Sequence, residues 1–226
     1  MNYSKNKKYF SPRPSLKTAV IGIAVVAGLF FAKPLWGVLA LLVVGVVIYS
    51  VYFGRPSDAE IDAQAAAMLA DIKKRAFQKL GVEEEEVAVA KPIEFWGYNF
   101  GGLNDTANRN AWNICGKDGE WRSSEVRVGG FYFSENEVNF YYRIGSLVSD
   151  ANREGTEQYF YKDIVSVKTE TGDRECANTN GGRVTYNAFI LRNAGGETTE
   201  CAVNRTEDAE AAVNAFRALL KQKKLG

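Results

Sequence analysis

The chain of 226 residues contains no histidine and only three cysteines. Histidine is the commonest general base in enzymes and a frequent zinc ligand, so its absence removes the usual catalytic dyads and most zinc sites. The three cysteines, Cys115, Cys176 and Cys201, are widely spaced and form no CxxC pair. We therefore expect reduced thiols and not a disulfide framework.

Sequence motifs of nucleotide binding and of hydrolysis are also missing. The chain has neither a Walker loop nor a GxSxG elbow, and no spacing among its 27 acidic residues assigns two carboxylates to one cleft. We therefore expect no catalytic residue, no metal site and no cofactor. The net charge of +1 gives no general case for nucleic-acid binding either.

Acidic residues are absent from the start of the chain. Residues 1–17 form a basic tail, and residues 18–53 are apolar with Lys33 as their only charge. About 20 apolar residues suffice to cross a bilayer as a helix, so this stretch is long enough for two. Pro34 suits the first turn of a second helix but would break a helix interior. The pattern predicts a transmembrane helical hairpin over residues 18–53.

The distribution of charge predicts an orientation for this hairpin. Basic residues mark the cytoplasmic side of a membrane, so we expect a two-pass protein of the inner (cytoplasmic) membrane with both termini in the cytoplasm. A re-entrant hairpin is an alternative because the first arm is short. A cleaved signal peptide is disfavoured because apolar sequence resumes after the proline. The residues expected at the membrane interfaces are Lys17, Lys33, Trp36, Tyr49 and Tyr52.

Residues 57–81 predict a single amphipathic stalk helix. Residues 57–60 (SDAE) have the pattern of a capping box, and Gly81 is placed as a C-terminal cap. One apolar stripe follows the helical period, which favours packing on the protein's own domain, with a coiled coil as the alternative. The stripe consists of Ile61, Ala65, Met68, Ile72, Ala76 and Leu80.

Residues 88–226 predict an antiparallel β domain with a C-terminal helix. Aromatic and β-branched residues dominate residues 125–144, where we expect a hairpin with a bulge or bend at Gly129 and Gly130. A long loop or loosely paired hairpin is expected over residues 101–120, and an amphipathic helix over residues 206–224. The predicted strands are residues 92–98, 125–133, 138–144, 158–161, 164–169, 184–191 and 198–203.

Three stretches resemble the bacterial members of the pleckstrin-homology-like (PH-like) superfold. Residues 131–141 (FYFSENEVNFY) resemble its central hairpin, residues 161–167 (YKDIVSV) the stretch leading into the second sheet, and residues 207–219 the closing helix. The resemblance covers roughly residues 88–224. It implies an α+β fold in which about seven strands form a bent antiparallel sandwich or barrel that is closed by the C-terminal helix.

The basic residues of the early β region depart from the pattern of lipid-binding PH-like domains. Lys117, Arg122 and Arg127 are interleaved with acidic residues, so they form no concentrated basic cluster. Fold resemblance alone does not assign a function.

The sequence therefore predicts a membrane-anchored, non-enzymatic interaction module that acts as an adaptor or as a subunit of a membrane protein assembly. The alternative is a peripheral sensor of anionic lipid, for which Lys73, Lys74 and Arg75 are the candidate contacts, joined by the lysines at positions 221, 223 and 224. A third hypothesis is self-association through the hairpin and stalk. We expect a protein partner or a second copy, and no nucleic acid.

Overall fold

The computed structural model describes residues 1–11, 16–32, 34–100, 111–175, 183–203 and 206–225. It divides into two compact units. We call Asn2–Ser57 the hairpin unit, and Asp58–Gly226 together with Met1 the β unit.

The hairpin unit contains three helices: α1 (Tyr3–Phe10), α2 (Leu16–Ala32) and α3 (Pro34–Tyr52). Helices α2 and α3 pack against each other, as the sequence predicted for two helical arms, and Pro34 is the first residue of α3. Lys33, predicted at the turn between the arms, lies outside the described residues. Among the helices that the structure describes, none combines the length and the apolar character needed to cross a membrane.

The β unit begins with two helices, not with the single stalk helix that the sequence predicted. The chain makes a turn over residues 68–71 and ends the second helix at Gly81, whose φ of 68° and hydrogen bond to the carbonyl oxygen of Phe77 form the predicted cap. The two helices are α4 (Asp58–Ala67) and α5 (Ile72–Leu80).

Nine strands follow in the described part of the β unit, and they form three antiparallel sheets. The four-stranded sheet has the order β1-β4-β5-β6, the three-stranded sheet has the order β7-β8-β9, and β2 pairs with β3 alone. Helix α6 (Thr206–Leu225) ends the chain. The strands are β1 (Ile93–Tyr98), β2 (Asn113–Cys115), β3 (Trp121–Ser123), β4 (Glu125–Phe133), β5 (Glu137–Ser146), β6 (Asn152–Phe160), β7 (Ile164–Glu175), β8 (Arg183–Asn193) and β9 (Thr198–Val203).

The α+β class and the C-terminal helix agree with the expectation, but no sheet closes into a barrel among the described strands. Among the described strands, no ladder joins the four-stranded and three-stranded sheets, although their backbones approach closely at β1 and β9. A Cβ placed at Gly97 of β1 would lie only 2.5 Å from the carbonyl oxygen of Ala202 in β9.

One face of the four-stranded sheet packs on the three-stranded sheet and on α6. The ring of Phe216 lies 5.6 Å from that of Phe131, 5.0 Å from that of Phe133 and 6.0 Å from that of Phe189. All four rings are buried. The apolar face predicted for the last helix therefore closes the main hydrophobic core.

The opposite face of the same sheet is covered by α4 and α5. Tyr132 lies between Phe131 and Phe133 in β4, and successive strand residues point to opposite faces. Its ring packs 5.2 Å from Phe77 of α5 and is fully buried. The predicted packing of the apolar stripe on its own domain is thus confirmed, since Ile61 and its neighbours on the stripe at positions 65, 72 and 76 are buried in this layer.

Of the bulge or bend predicted at Gly129 and Gly130, the bulge is absent. Pairing of β4 with both β1 and β5 continues without interruption through these residues. The glycines make room for aromatic rings instead. A Cβ placed at Gly129 would lie 2.7 Å from Cζ of Phe95, and one at Gly130 would lie 2.8 Å from the hydroxyl oxygen of Tyr132.

Replacing Gly129 with alanine is therefore expected to destabilise the β unit by about 2 kcal/mol, the usual cost of overpacking a core. Gly172→Ala is the matched control, because a Cβ at that strand position has its nearest neighbour at 3.5 Å. Thermal unfolding of the full chain in mild detergent, followed by tryptophan fluorescence, measures both variants. Equal melting temperatures for the two variants would contradict the packing argument.

Candidate functional site

The surface of the hairpin unit is dominated by exposed apolar side chains. Phe31 is 90% exposed and Leu35 is 75% exposed, although both are large apolar residues that water solvates poorly. Further members of this apolar surface are Ile21, Ile23, Val25, Val38, Leu39, Leu41, Leu42, Val43, Val46 and Val47. Exposed apolar residues in this number favour an apolar environment or a partner.

Two of the predicted interface residues lie on this surface. Trp36 is 58% exposed near the start of α3, and Tyr49 is 67% exposed near its end, where its ring stacks on Phe53 at 5.1 Å. The aromatic rings thus lie toward the two ends of the helix. The side chains of Lys17 and Tyr52 are not described, and Lys33 falls outside the described residues.

The two ends of the hairpin lie side by side. The Nη1 atom of Arg55, which follows α3, donates a 3.2 Å hydrogen bond to the carbonyl oxygen of Ser11, which follows α1. The chain therefore enters α2 and leaves α3 at the same end of the hairpin unit.

The basic residues that the sequence offered as lipid contacts are partly occupied within the β unit. Lys73 forms an ion pair with Glu84, and its ammonium group lies 5.5 Å from the ring centre of Phe77. Lys74 and Arg75 are exposed. The structure therefore gives an acidic partner to one of the three candidate contacts.

Two of the three C-terminal lysines are also engaged, whereas Lys221 is exposed. Lys223 pairs with Glu135 at 2.5 Å, and Lys224 donates a 2.6 Å hydrogen bond to the carbonyl oxygen of Ile164. These contacts fix the end of α6 to the turn after β4 and to the start of β7. The two lysines therefore act in part as structural ties.

The charges of the two units differ in sign. Seven of the 28 basic residues and none of the 27 acidic residues precede Asp58. The rest of the chain therefore has 21 basic and 27 acidic residues. An anionic membrane surface would attract the hairpin unit and repel the β unit on average.

A buried arginine connects α4 to the small β2–β3 hairpin. Arg122 is only 3% exposed, and its guanidinium donates to both carboxylate oxygens of Asp62, at 2.8 and 2.7 Å, and of Asp118, at 2.9 and 2.7 Å. The hydroxyl of Tyr98 donates a further 2.6 Å bond to Asp62. Bidentate pairs of this kind have a fixed geometry, so the cluster holds α4 in place on the domain.

The sequence drew attention to Arg122 as a basic residue but did not predict that it holds α4 on the domain. Its partner Asp62 is 60 residues away in the chain, and no local pattern connects the two. The nearer partner, Asp118, is four residues from the arginine, but that spacing predicts a side-chain pair only on a helix, and no helix was predicted over these residues.

The cavities in the described part of the β unit include one at a turn and one between sheets. A cavity of about 400 Å³ lies at the turn between β5 and β6, lined by serines at positions 124, 146 and 149 and by the ion pair of Arg153 with Glu125. A polar cavity of about 260 Å³ lies between the two larger sheets, with Arg127 and Glu157 in its lining.

The chemistry of the smaller cavity does not favour nucleophilic catalysis. The carboxylate of Glu157 accepts hydrogen bonds from the hydroxyls of Tyr159 and Thr199. Burial raises the pKa of Tyr159, so its phenol stays protonated as a donor. Burial also raises the pKa of the nearby Cys201 thiol to about 12, which keeps the more reactive thiolate scarce at neutral pH.

Among the residues that the structure describes, no group of three or more histidine, cysteine, aspartate or glutamate side chains is placed to hold a metal ion. Cys115 and Cys201 are free thiols, whereas Cys176 lies outside the described residues.

Comparisons of the chain with family models, with curated proteins and with solved structures returned no match.

The Asp118–Arg122 pair makes stability depend on pH in the acid range. The hydrogen bond from Arg122 is the main cause that lowers the pKa of Asp118 to about 2. The contribution of this pair to the free energy of unfolding is fully present above the pKa of an aspartate in the unfolded chain, about 4. It is lost as the pH falls toward 2. The melting temperature of the wild-type chain should therefore fall more steeply between pH 4 and pH 2 than that of Asp118→Asn. The control Asp150→Asn, at an exposed turn residue, should show the same dependence of melting temperature on pH as the wild-type chain. Parallel profiles for the wild-type chain and both variants would contradict the assignment of this dependence to the Asp118–Arg122 pair.

Proposed function

We propose that the protein is a membrane-anchored, non-enzymatic interaction module in which the hairpin unit is the anchor and the β unit is the binding domain. The observation that carries the proposal is the exposed apolar surface of α2 and α3. Burying this surface in lipid removes a large unfavourable contact with water. The β unit would act as an adaptor or as a subunit of a membrane protein assembly.

The lengths of the two helices bear on how the anchor inserts. Helix α2 has 17 residues and α3 has 19, which at 1.5 Å per residue correspond to about 26 and 29 Å. A hydrocarbon core of about 30 Å would have to thin slightly around them, or the hairpin would be re-entrant. Both forms return the chain to the side from which it entered, in keeping with the contact between Arg55 and Ser11. On this proposal both termini lie on the cytoplasmic side of the inner membrane.

The strand order supports a PH-like domain as the binding part. Without the β2–β3 insertion, the first sheet is a four-stranded meander and the second a three-stranded meander, and α6 follows the last strand. This is the order of elements that the resemblance implies. The proposal extends the likeness of three short stretches to the whole β unit.

The structure does not favour the alternative of a lipid-sensing β unit. Lys73 is paired with Glu84, and acidic residues outnumber basic ones in this unit. Of the three candidate contacts, Lys74 and Arg75 are exposed, and two charges give only a weak attraction to anionic lipid. We therefore assign the membrane contact to the hairpin unit.

Arginine in the middle of α3 should release the anchor. Leu42 and Val46 are 66% and 68% exposed, and each arginine at the centre of a membrane helix costs about 3 kcal/mol. Leu42→Arg with Val46→Arg should therefore lower the fraction of the full chain that stays with membranes after an alkaline carbonate wash. Val89→Arg is the control, because this valine is also exposed, at 39%, in the β unit. Undiminished retention of the double variant would contradict the anchor.

A partner surface is expected on the β unit. The aromatic β4–β5 hairpin is buried in the core and is not free to bind, whereas Phe160 and Val165 are 51% and 63% exposed on either side of the link between the two larger sheets. We propose that these two residues form part of the partner surface, because aromatic side chains are enriched in interface cores.

Phe160→Ser with Val165→Ser should therefore weaken crosslinking of the full chain to its partner or to a second copy in native membranes. The measurement is the intensity of crosslinked species heavier than the 25.0 kDa chain. Val89→Ser, at another exposed valine of the β unit, is the control and should leave the species unchanged. If the wild-type chain is recovered only as a monomer at native expression level, the adaptor proposal fails.

A further inference from the structure

The N-terminal residues form a helix with a distinct buried side. In α1, Asn6, Tyr9 and Phe10 are buried, and the rings of Tyr9 and Phe10 pack edge to face at 5.0 Å. Both ends of the helix are capped: the side chain of Asn2 accepts a bond from the backbone of Lys5, and Ser11 bonds to the carbonyl oxygen of Lys7. The helix is thus a defined element of the hairpin unit.

The remaining arc of α1 is cationic. Lys5, Lys7 and Lys8 are exposed, and none of their ammonium groups contacts an acidic side chain in the part of the chain that the structure describes. The first 57 residues contain no acid that could neutralise them. This differs from the β unit, where Lys73 and Lys223 have carboxylate partners.

The position of α1 within its unit brings these charges to the base of the anchor. Ser11, the residue after α1, accepts the hydrogen bond from Arg55, the residue by which the chain leaves the hairpin. Helix α1 therefore lies at the end where the chain enters α2 and leaves α3. In an inserted hairpin this end is at the level of the lipid headgroups.

We propose that the lysine face of α1, formed by Lys5, Lys7 and Lys8, binds the headgroups of anionic phospholipids. The inference rests on the proposed function, because it needs the hairpin in the membrane. Charge complementarity selects the occupant: three unneutralised ammonium groups beside an apolar anchor fit a negative lipid surface. The hairpin supplies affinity for any bilayer, and α1 supplies the preference for anionic lipid.

The test uses the full chain reconstituted in phosphatidylcholine vesicles that contain a trace of spin-labelled phosphatidylglycerol or spin-labelled phosphatidylcholine. Electron paramagnetic resonance gives the association of each labelled lipid with the protein surface, and the ratio is the selectivity. For the wild-type chain we expect selectivity for phosphatidylglycerol that decreases in 1 M salt, since salt screens exposed charges. For Lys5→Gln with Lys7→Gln and Lys8→Gln we expect a decrease of about threefold or more at low salt.

The control variant is Lys73→Gln with Lys74→Gln and Arg75→Gln, which removes the same number of charges from α5 and should keep the wild-type selectivity. A chain that fails to enter phosphatidylcholine vesicles would overturn the anchor itself. Normal insertion with equal association of the two lipids, or with selectivity that survives the α1 substitutions, would overturn only the present inference. Circular dichroism of the α1 variant checks that its helices are intact.

Discussion

Strands β4 and β5 carry large aromatic side chains on both of their faces, and each face of the sheet therefore needs a cover. Phe131 and Phe133 point toward α6, whereas Tyr132 between them points toward Phe77 of α5. The helices that precede the first strand are for this reason a structural layer of the domain and not a stalk. The buried arginine cluster that holds α4 serves the same requirement, because it fixes this layer at its N-terminal end.

The parts of the fold that were predictable are those with a strong local pattern. The bounds of β4 and β9 match the prediction, and α6 extends it by one residue. Strand β6 begins six residues before the predicted start, because its first half is polar and exposed and shows no alternation. The consecutive aromatic residues in the FYF of β4 and the FYY of β5 were a missed signal, since strands covered on both faces read as continuous apolar runs and not as alternating ones.

The candidate site was predictable to a smaller extent. Composition alone identifies the apolar hairpin and the aromatic residues predicted at its ends, of which Trp36 and Tyr49 are exposed at opposite ends of α3. The pairing state of a lysine depends on its neighbours in space, so Lys73 and Lys74 look alike in sequence although only Lys73 has Glu84 beside it. The same limit applies to the aromatic hairpin, whose burial on both faces removes it from the surfaces that a partner can reach.

The link between α3 and α4 is short. It consists of residues 53–57, and fully extended it reaches about 18 Å at roughly 3.5 Å per residue. If the hairpin unit is the membrane anchor that we propose, a β unit on so short a tether would meet other proteins of that membrane at a high effective concentration, which the length of the link sets. Even a contact that is weak in dilute solution can then be occupied much of the time, and lengthening the link would lower that occupancy without altering any residue of the binding surface.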